Sequence, residues 1–233
     1  VRRIAFPDYP EPHFTGLIGT GGFVEVPELA PTDGTMRMTF GREAFFGYIK
    51  APGEPVYWFD SYPQDPSAPA PADPRAYAAL LRRLHRDDPR ENREILAGVE
   101  GIDRDYPIFD MPALPVWHRG NVVLVGDAAH AVGPHAGQGA SIAIEDAIVL
   151  AACIEAEAAN GTAFARYERL RRGRVTEVVK QTARNGAQKR ANSRLALMIR
   201  NLVLPFVLPL GIRAARRFYA YRIDLDPLGA PAG

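Results

Sequence analysis

NVVLVGDAAHAVGPHAGQGASIAIEDA, residues Asn121–Ala147, is the stretch that decides the predicted fold. Its apolar run Val122–Val125 is typical of a buried strand. Gly126–Asp127 then places a carboxylate at the carboxyl end of that strand, where open α/β sheets bind ligands. A loop rich in glycine and proline leads to a helix of small and aliphatic residues that begins near Ala140–Ser141. This order of strand, acid, glycine loop and helix indicates a nucleotide- or flavin-binding turn.

Two features of this turn predict contact with a ligand. The carboxylate of Asp127 is well placed to accept hydrogen bonds from sugar-like hydroxyls, and a helix-cap or turn carboxylate is the alternative. The glycines let the backbone approach a flat ligand, and the helix start offers unpaired N–H groups at a positive dipole end. A plain glycine-rich linker would not explain the buried strand and helix that flank the loop. The predicted cofactor-binding residues are Gly126, Asp127, Gly137, Gln138, Gly139, Ala140 and Ser141.

Two histidines, His130 and His135, lie in the same turn. No cluster of cysteines or carboxylates at metal-ligand spacing accompanies them, so we predict no metal site. His130 is expected to be structural, with a hydrogen bond inside the turn. His135 is expected next to the ligand face, where contact with a substrate or cofactor is one alternative. Pro134 is expected to shape the loop and to lend its carbonyl group to the site.

The region before this turn, residues 1–112, has the composition of an antiparallel β-rich domain. Runs of aromatic and β-branched residues alternate with Gly and Pro, which predicts strands over Thr15–Pro27, Thr35–Phe40, Glu43–Ala51 and Pro55–Tyr62. Aromatic side chains on such a sheet form either packed core or the wall of an apolar pocket, and the sequence leaves both open. The pocket interpretation names Phe46, Tyr48, Tyr57 and Phe59 as substrate-contacting candidates.

The remaining elements are mainly helical. We predict helices over Asp73–His85, Arg90–Gly98, Ala140 to about Ala159 and Phe164–Ser193, with a strand over Ile102–Met111. The helix from Ala140 is expected to be buried on most sides and to end at Asn160–Gly161. The arginine-rich helix Phe164–Ser193 is expected to present a solvated outer face rather than a nucleic-acid surface. His118 and Arg119 are expected in a solvent-facing loop.

Bulk properties exclude several classes of protein. The chain has 233 residues, 24% of them charged, and a formal net charge of +1, so composition asks for no polyanionic partner. Its one cysteine, Cys153, cannot form an internal disulfide, which is typical of the reducing cytoplasm. The N-terminal residues do not resemble a signal peptide. The apolar segment Leu195–Ile212 contains Arg200 and two prolines, which favours a buried or partner-facing helix pair over membrane contact.

The motif GDAAHAVGPHAGQGASIAIEDA closely resembles the second flavin-binding motif of the class A FAD-dependent monooxygenases, the aromatic hydroxylases related to p-hydroxybenzoate hydroxylase. VRRIAF at the N-terminus and the helix with YERLRRGRV agree with the same family. The resemblance implies an α+β fold. An antiparallel substrate-binding domain over residues 1–112 would precede a partial FAD-binding module over 113–160 and C-terminal helices and tail over 161–233.

The resemblance also implies roles for individual residues. Asp127 would bind the ribitol hydroxyls of FAD, and Gly137–Ser141 would lie along the isoalloxazine edge, with the amides of Gly139 and Ala140 facing its pyrimidine oxygen. Similar enzymes reduce FAD with NAD(P)H and use O2 to oxygenate an electron-rich ring. An aromatic substrate would lie between the sheet face and the loop at Pro134–His135.

Part of the family's pattern is not in this sequence. The adenosine-binding βαβ unit with GxGxxG and the Asp-Gly segment of the family have no counterpart here. We therefore expect the chain to correspond to the second half or so of a typical member, with the half that binds the adenosine end of FAD belonging to a larger protein or supplied elsewhere. The expected partner is this missing N-terminal half or, as the alternative, a second copy of the chain in a homodimer. Epoxidation, halogenation or another flavin oxidation, and a non-catalytic remnant that binds a ligand or partner, stay as alternatives.

Overall fold

The computed structural model describes residues 2–64, 69–157, 159–188, 216 and 218–224. These residues form two compact units. The first unit is built mainly from Phe109–Gly186 together with the N-terminal residues up to His13, and the second mainly from Phe14–Ile108. The mixed composition of helices and an antiparallel sheet confirms the predicted α+β class. The predicted apolar segment 195–212 lies outside the described residues.

The second unit contains a five-stranded sheet with two helices packed on one face. Its strands are β1 (His13–Val24), β2 (Arg37–Phe40), β3 (Phe45–Ile49), β4 (Val56–Pro63) and β5 (Tyr106–Asp110), in the order β2-β3-β4-β1-β5. The pairs β1–β4, β2–β3 and β3–β4 are antiparallel, as the hairpin spacings predict. Each predicted strand is present, with ends shifted by at most four residues.

The helices α2 (Pro74–Leu84) and α3 (Arg90–Ala97) follow the sheet and cover one of its faces. The N-terminus of α2 is capped by Asp73, whose side chain accepts a hydrogen bond of 2.7 Å from the amide of Ala76. Pro74 occupies the first helical turn, where its missing N–H costs nothing. Apolar side chains of both helices pack on the sheet and form the main core of the unit.

The four aromatic candidates for a substrate wall lie on opposite faces of this sheet. The register pairs Phe46 with Asp60 and Tyr48 with Trp58, which places Phe46 and Tyr48 on the helix-covered face and in the core. Tyr57 and Phe59 point to the other face. Because the four rings are divided between the two faces, a single wall of four rings is not formed. The phase of β3 relative to β4 depends on the pairing register, which neither strand encodes alone.

A buried histidine ties this sheet to its helices. His85 follows α2 and is completely buried, with its Nδ1 atom 2.7 Å from Asp88 and its Nε2 atom 3.1 Å from Asp60 on β4. Burial alone would lower the pKa of His85, but hydrogen bonds to the two carboxylates outweigh it and raise that pKa from 6.5 to about 9. Asn92 of α3 also donates to Asp88. We refer to His85, Asp60, Asp88 and Asn92 as the sheet cluster.

The first unit begins with the short helix α1 (Arg2–Ala5) and contains a two-stranded ladder. Strands β6 (His118–Arg119) and β7 (Val122–Val123) pair antiparallel, so the predicted buried strand over Val122–Val125 is shorter and only partly covered. Among the described residues, β6 is the strand that pairs with β7. His118 and Arg119 are therefore not loop residues. His118 contacts Glu168, and the guanidinium of Arg119 lies over the ring of Phe6.

Four further helical segments of the unit lie between residues 127 and 188. They are α4 (Asp127–His130), a 3-10 turn (Pro134–Ala136), α5 (Gly139–Ala156) and α6 (Asn160–Gln188). Asn160 begins α6 instead of ending the preceding helix, in line with the preference of Asn for helix starts. Helix α5 is buried along one side only, since Ile144, Ile148 and Ile154 are exposed, whereas burial on most sides was predicted. None of the described helices is long and apolar enough to cross a membrane.

Candidate functional site

The turn between β7 and α4 requires glycine at position 126. Gly126 has φ +52°, a backbone conformation that residues with a Cβ atom rarely adopt. A Cβ atom at this position would also lie 2.9 Å from the Cβ atom of Ala143 on α5. The turn therefore lies directly against α5, and Asp127 follows it as the first residue of α4.

An open groove of about 670 Å³ lies beside this turn, within the first unit. Five of the seven predicted cofactor-binding residues line it: Gly126, Asp127, Gly137, Gly139 and Ala140. The other lining residues are Val125, Val132, Gly133, Pro134 and Ala143. Ser141 is exposed in the first turn of α5, and Gln138 directs its side chain away from the groove, toward Arg174. The structure thus brings together the residues that the sequence motif singled out.

The carboxylate of Asp127 is available to a ligand. The side chain is exposed, and it forms no hydrogen bond or ion pair with any of the described residues. It lines the groove together with backbone atoms of three glycines from the loop and the start of α5. A carboxylate in this position accepts hydrogen bonds from hydroxyl groups of a bound molecule.

The N-terminus of α5 is the second polar feature of the groove. Gly137 has the left-handed φ of +60° and directs the chain into the helix, while Gln138, at the N-cap position, provides no side-chain cap. The first N–H groups of a helix have no carbonyl partner inside it, so the amides of Gly139, Ala140 and Ser141 remain donors. An 18-residue helix also has a positive end at this position. The arrangement stabilises an electron-rich or anionic group in the groove.

His135 does not line the groove, although Pro134 does. The 3-10 turn directs the imidazole of His135 toward α6, where a Cβ atom at Gly186 would lie 2.8 Å from its ring. The backbone carbonyl of His135 accepts a hydrogen bond of 3.1 Å from Asn185 of the same helix. Gly186 therefore allows a close approach of turn and helix, and the expected position of His135 beside a ligand differs from the observed one.

His130 is structural, as predicted. It is buried, and its Nε2 atom donates to Asp146 Oδ2 at 2.6 Å. The same carboxylate oxygen accepts a hydrogen bond of 2.9 Å from the amide of Gly126, and Oδ1 accepts one of 2.9 Å from Arg171. Burial alone would raise the pKa of the Asp146 carboxyl, but the hydrogen bonds from His130 and Arg171 outweigh it and hold that pKa below its ordinary value.

Basic residues of α6 such as Arg169, Lys180 and Arg184 are exposed, as expected for a solvated outer face, but two arginines of the same helix are buried. Arg171 is 1% exposed and forms an ion pair of 2.5 Å with Glu145 in addition to its contact with Asp146. Arg174 is 7% exposed, donates to Gln138 Oε1 at 3.2 Å, and lies over the ring of Tyr221 at 4.4 Å. The planar guanidinium groups can be buried because carboxylates and aromatic rings surround them.

Sequence analysis missed this set of residues as part of the site. Asp146 had a usable signal, because a carboxylate inside an otherwise apolar helical stretch needs a buried partner. Arg171 and Arg174 had none, since they are two of several arginines in one helix. Across the described residues, no group of three or more His, Cys, Asp or Glu side chains is arranged to hold a metal ion.

Comparisons with known proteins agree with this geometry. Residues 109–182 match the FAD binding domain family, and this range includes the whole groove. The chain is 33% identical over 186 residues to the aurachin C monooxygenase/isomerase of Stigmatella aurantiaca, covering 76% of this chain and 45% of that protein. It is 37% identical over 118 residues to the 3-amino-4-hydroxybenzoate 2-monooxygenase PtnB3 of Streptomyces platensis, covering 50% and 28% of the two chains.

The fold is also that of a solved flavoprotein. The structure of Klebsiella pneumoniae HpxO complexed with FAD and uric acid aligns with a TM-score of 0.76 and 24% sequence identity, over 93% of this chain and 55% of that one. At 24% sequence identity, this structural similarity establishes the fold alone. The chain spans less than half the length of the curated relatives named above.

Proposed function

We propose that this chain belongs to the class A FAD-dependent monooxygenases and that it binds the riboflavin part of FAD in the groove beside Asp127. We further propose that the protein uses this cofactor, with NAD(P)H as reductant and O2, to oxygenate a small aromatic molecule. The observation that carries the proposal is the pairing, in one groove, of an exposed carboxylate that has no partner among the described residues with the N-terminus of a long helix whose N-cap side chain makes no capping hydrogen bond.

The groove fits the two chemically different parts of a riboflavin group. Asp127 accepts hydrogen bonds from the ribityl hydroxyls, because its carboxylate has no partner among the described residues. The walls contributed by Gly133, Gly137 and Gly139 have no side chains, so a flat ring system can approach the backbone. The amides at the start of α5 would donate to an oxygen atom on the edge of the ring, and the positive helix end would favour negative charge there.

FAD, when bound, accepts electrons from NAD(P)H and activates O2, so the oxidation chemistry belongs to the cofactor. The protein's own residues orient it. Asp127 fixes the ribityl chain, the α5 amides stabilise electron density on the ring, and Pro134 closes part of the groove without adding a competing polar group. His135 is not assigned a catalytic role, because its ring lies against Gly186.

An aromatic substrate is supported by two observations. PtnB3 is named for oxygenation of an aminohydroxybenzoate. In this chain, Tyr57 and Phe59 lie on the face of the sheet that α2 and α3 leave uncovered, and their rings are 6.0 Å apart. We propose these two side chains as substrate contacts. Phe46 and Tyr48 are not proposed as contacts, because they belong to the core.

Titration with FAD tests the cofactor site. The purified 233-residue chain should perturb the visible absorption and fluorescence of added FAD. Asp127→Asn keeps the size of the side chain but removes the charged acceptor, and we expect it to weaken binding roughly tenfold or more. Glu155→Gln removes an exposed charge from the same unit and serves as the matched control. Equal affinities for the three proteins, or no perturbation with wild-type protein, would overturn the assignment.

Isotope labelling tests the reaction. The protein as its gene encodes it, supplied with FAD, NADH or NADPH, and 18O2, should convert a phenolic or benzoate substrate into a product that contains one 18O atom. Chromatographic comparison with authentic compounds separates a phenol from an epoxide, and a halogenated product is recognised by its mass. Oxidation products without 18O would contradict a monooxygenase.

A further inference from the structure

One largely buried set of polar and charged side chains connects both ends of the groove. We call His130, Glu145, Asp146, Arg171 and Arg174 the site cluster. Its members come from α4, α5 and α6, and all five lie in the first unit. None of them lines the groove, so a molecule bound there would not touch them. Their effect on a ligand has to pass through the residues that they hold.

At the Asp127 end, the cluster holds the backbone of the turn. Asp146 Oδ2 accepts from the amide of Gly126 at 2.9 Å and from His130 Nε2 at 2.6 Å. Gly126 immediately precedes Asp127, and His130 is the last residue of α4, three positions after Asp127. One oxygen atom of Asp146 therefore holds both the residue before Asp127 and a residue one turn after it. These two contacts together set the direction of the Asp127 carboxylate.

At the α5 end, the cluster holds the helix start. Arg171 bridges Asp146 at 2.9 Å and Glu145 at 2.5 Å. Glu145 also contacts Arg174, which donates to Gln138 Oε1 at 3.2 Å. Gln138 is the N-cap residue of α5, immediately before the amides that face the groove. A continuous series of side-chain contacts therefore runs from Gly126 to Gln138.

The cluster is balanced in charge and tightly enclosed. Asp146 is fully buried and Arg171 is 1% exposed, so each charge depends on its partner for compensation. A buried pair of this kind has one favourable geometry, because any displacement leaves a desolvated charge without its partner. An ion-pair cluster of this kind can hold two backbone segments, the turn at Gly126 and the start of α5, in fixed positions toward the same ligand.

We propose that Asp146 is a positioning residue, which sets the direction of Asp127 through the amide of Gly126 and, through Arg171, links it to the start of α5. The proposal rests on the proposed function only where it assigns FAD as the ligand of Asp127. The competing interpretation is that Asp146 is an ordinary core ion-pair partner that stabilises the unit without acting on the groove.

Amide hydrogen exchange separates the two interpretations without any ligand. In Asp146→Asn, we expect faster exchange confined to residues 124–130, because the Gly126 amide loses its charged acceptor. Asp88→Asn, the matched control, removes a buried carboxylate that is paired with a histidine in the sheet cluster and should leave residues 124–130 unchanged. Unchanged exchange at 124–130 in Asp146→Asn, or a uniform increase over the whole of 109–186, would overturn the positioning role.

A double-mutant cycle with FAD tests the consequence for binding. Asp127→Asn and Asp146→Asn should each weaken FAD binding roughly tenfold. If Asp146 acts through Asp127, the double variant should bind within about twofold of the weaker single variant. Multiplication of the two losses would contradict the proposal. Asp88→Asn should leave the dissociation constant for FAD unchanged.

A second variant covers the case in which Asp146→Asn does not fold. Arg171→Lys keeps the positive charge beside Asp146 but loses the planar fork that contacts both Asp146 and Glu145. The same exchange pattern and the same non-additivity with Asp127→Asn are expected, with smaller amplitudes. A wild-type chain that does not perturb FAD would contradict the proposed function, whereas the exchange result would still decide the positioning role.

Discussion

Each unit contains a buried cluster in which a histidine is hydrogen-bonded to a carboxylate, and the two clusters have different roles. In the sheet cluster, His85 lies between Asp60 and Asp88, and Asn92 donates to Asp88, so these contacts join buried side chains of that unit to one another. In the site cluster, Asp146 contacts His130 and Arg171 and also accepts from the backbone amide of Gly126, next to an exposed groove. Contacts between buried side chains, as in the sheet cluster, stabilise the core. A cluster that also bonds to the backbone of a turn, as the site cluster does, can in addition orient a binding residue in that turn.

The electrostatic balance of the two clusters differs as well. Two carboxylates face His85 and raise its pKa to about 9, so the sheet cluster contains a cationic histidine. In the site cluster, Arg171 already supplies the cation, and its bonds, with that of His130, keep the pKa of Asp146 below the ordinary value. The sheet cluster should therefore weaken at alkaline pH, whereas the site cluster should weaken only in acid.

The largest expected effect comes from breaking the site cluster. Asp146→Ala leaves Arg171 without its fully buried partner, and we expect a loss of about 3–5 kcal/mol in the free energy of unfolding. Chemical denaturation followed by circular dichroism measures it. Asp88→Ala should cost less, because His85 keeps Asp60 as a partner. Equal losses of unfolding free energy in the two variants would contradict the expectation that the site cluster contributes more to stability than the sheet cluster.

The next effect is a pH dependence that belongs to the sheet cluster. The pKa of His85 is about 9 in the folded state and its ordinary value is 6.5, so its stabilising contribution is complete below pH 6.5 and is lost as the pH rises through 9. The loss across this window is on the order of 3 kcal/mol. His85→Gln should abolish most of this slope in urea unfolding measured between these pH values. A wild-type stability that stays flat or rises over the same window would contradict the cationic state of His85.

A smaller effect distinguishes the turn that the site cluster holds from an ordinary turn. Gly126 and Gly53 both have positive φ, but only at Gly126 would a Cβ atom meet a neighbour, Ala143 at 2.9 Å. We expect Gly53→Ala to cost about 1 kcal/mol and Gly126→Ala about 1–3 kcal/mol. Thermal or urea unfolding measures both. Gly126→Ala should also weaken FAD binding. A Gly126→Ala protein that is destabilised but binds FAD normally would show that the conformation of this turn does not affect the flavin site.

The local parts of the site were predictable from sequence, and the long-range parts were not. Asp127 and the glycines lie in one motif of about twenty residues, where strand, loop and helix signals follow in order. The antiparallel sheet was predictable from its hairpins. The split of Phe46 from Phe59 depended on strand register, and the burial of Arg171 depended on a contact with Asp146 across 25 positions. Neither has a signal in local sequence.

The most direct test of the central claim is amide hydrogen exchange of the 233-residue chain with and without FAD. Binding of a flavin in the proposed groove should slow exchange over residues 125–143, most strongly at the amides that begin α5, and leave α2 and α3 unaffected. Asp127→Asn should reduce this protection at equal FAD concentration. Protection that appears elsewhere in the chain, or nowhere, would contradict a flavin site formed by Asp127 and the N-terminus of α5.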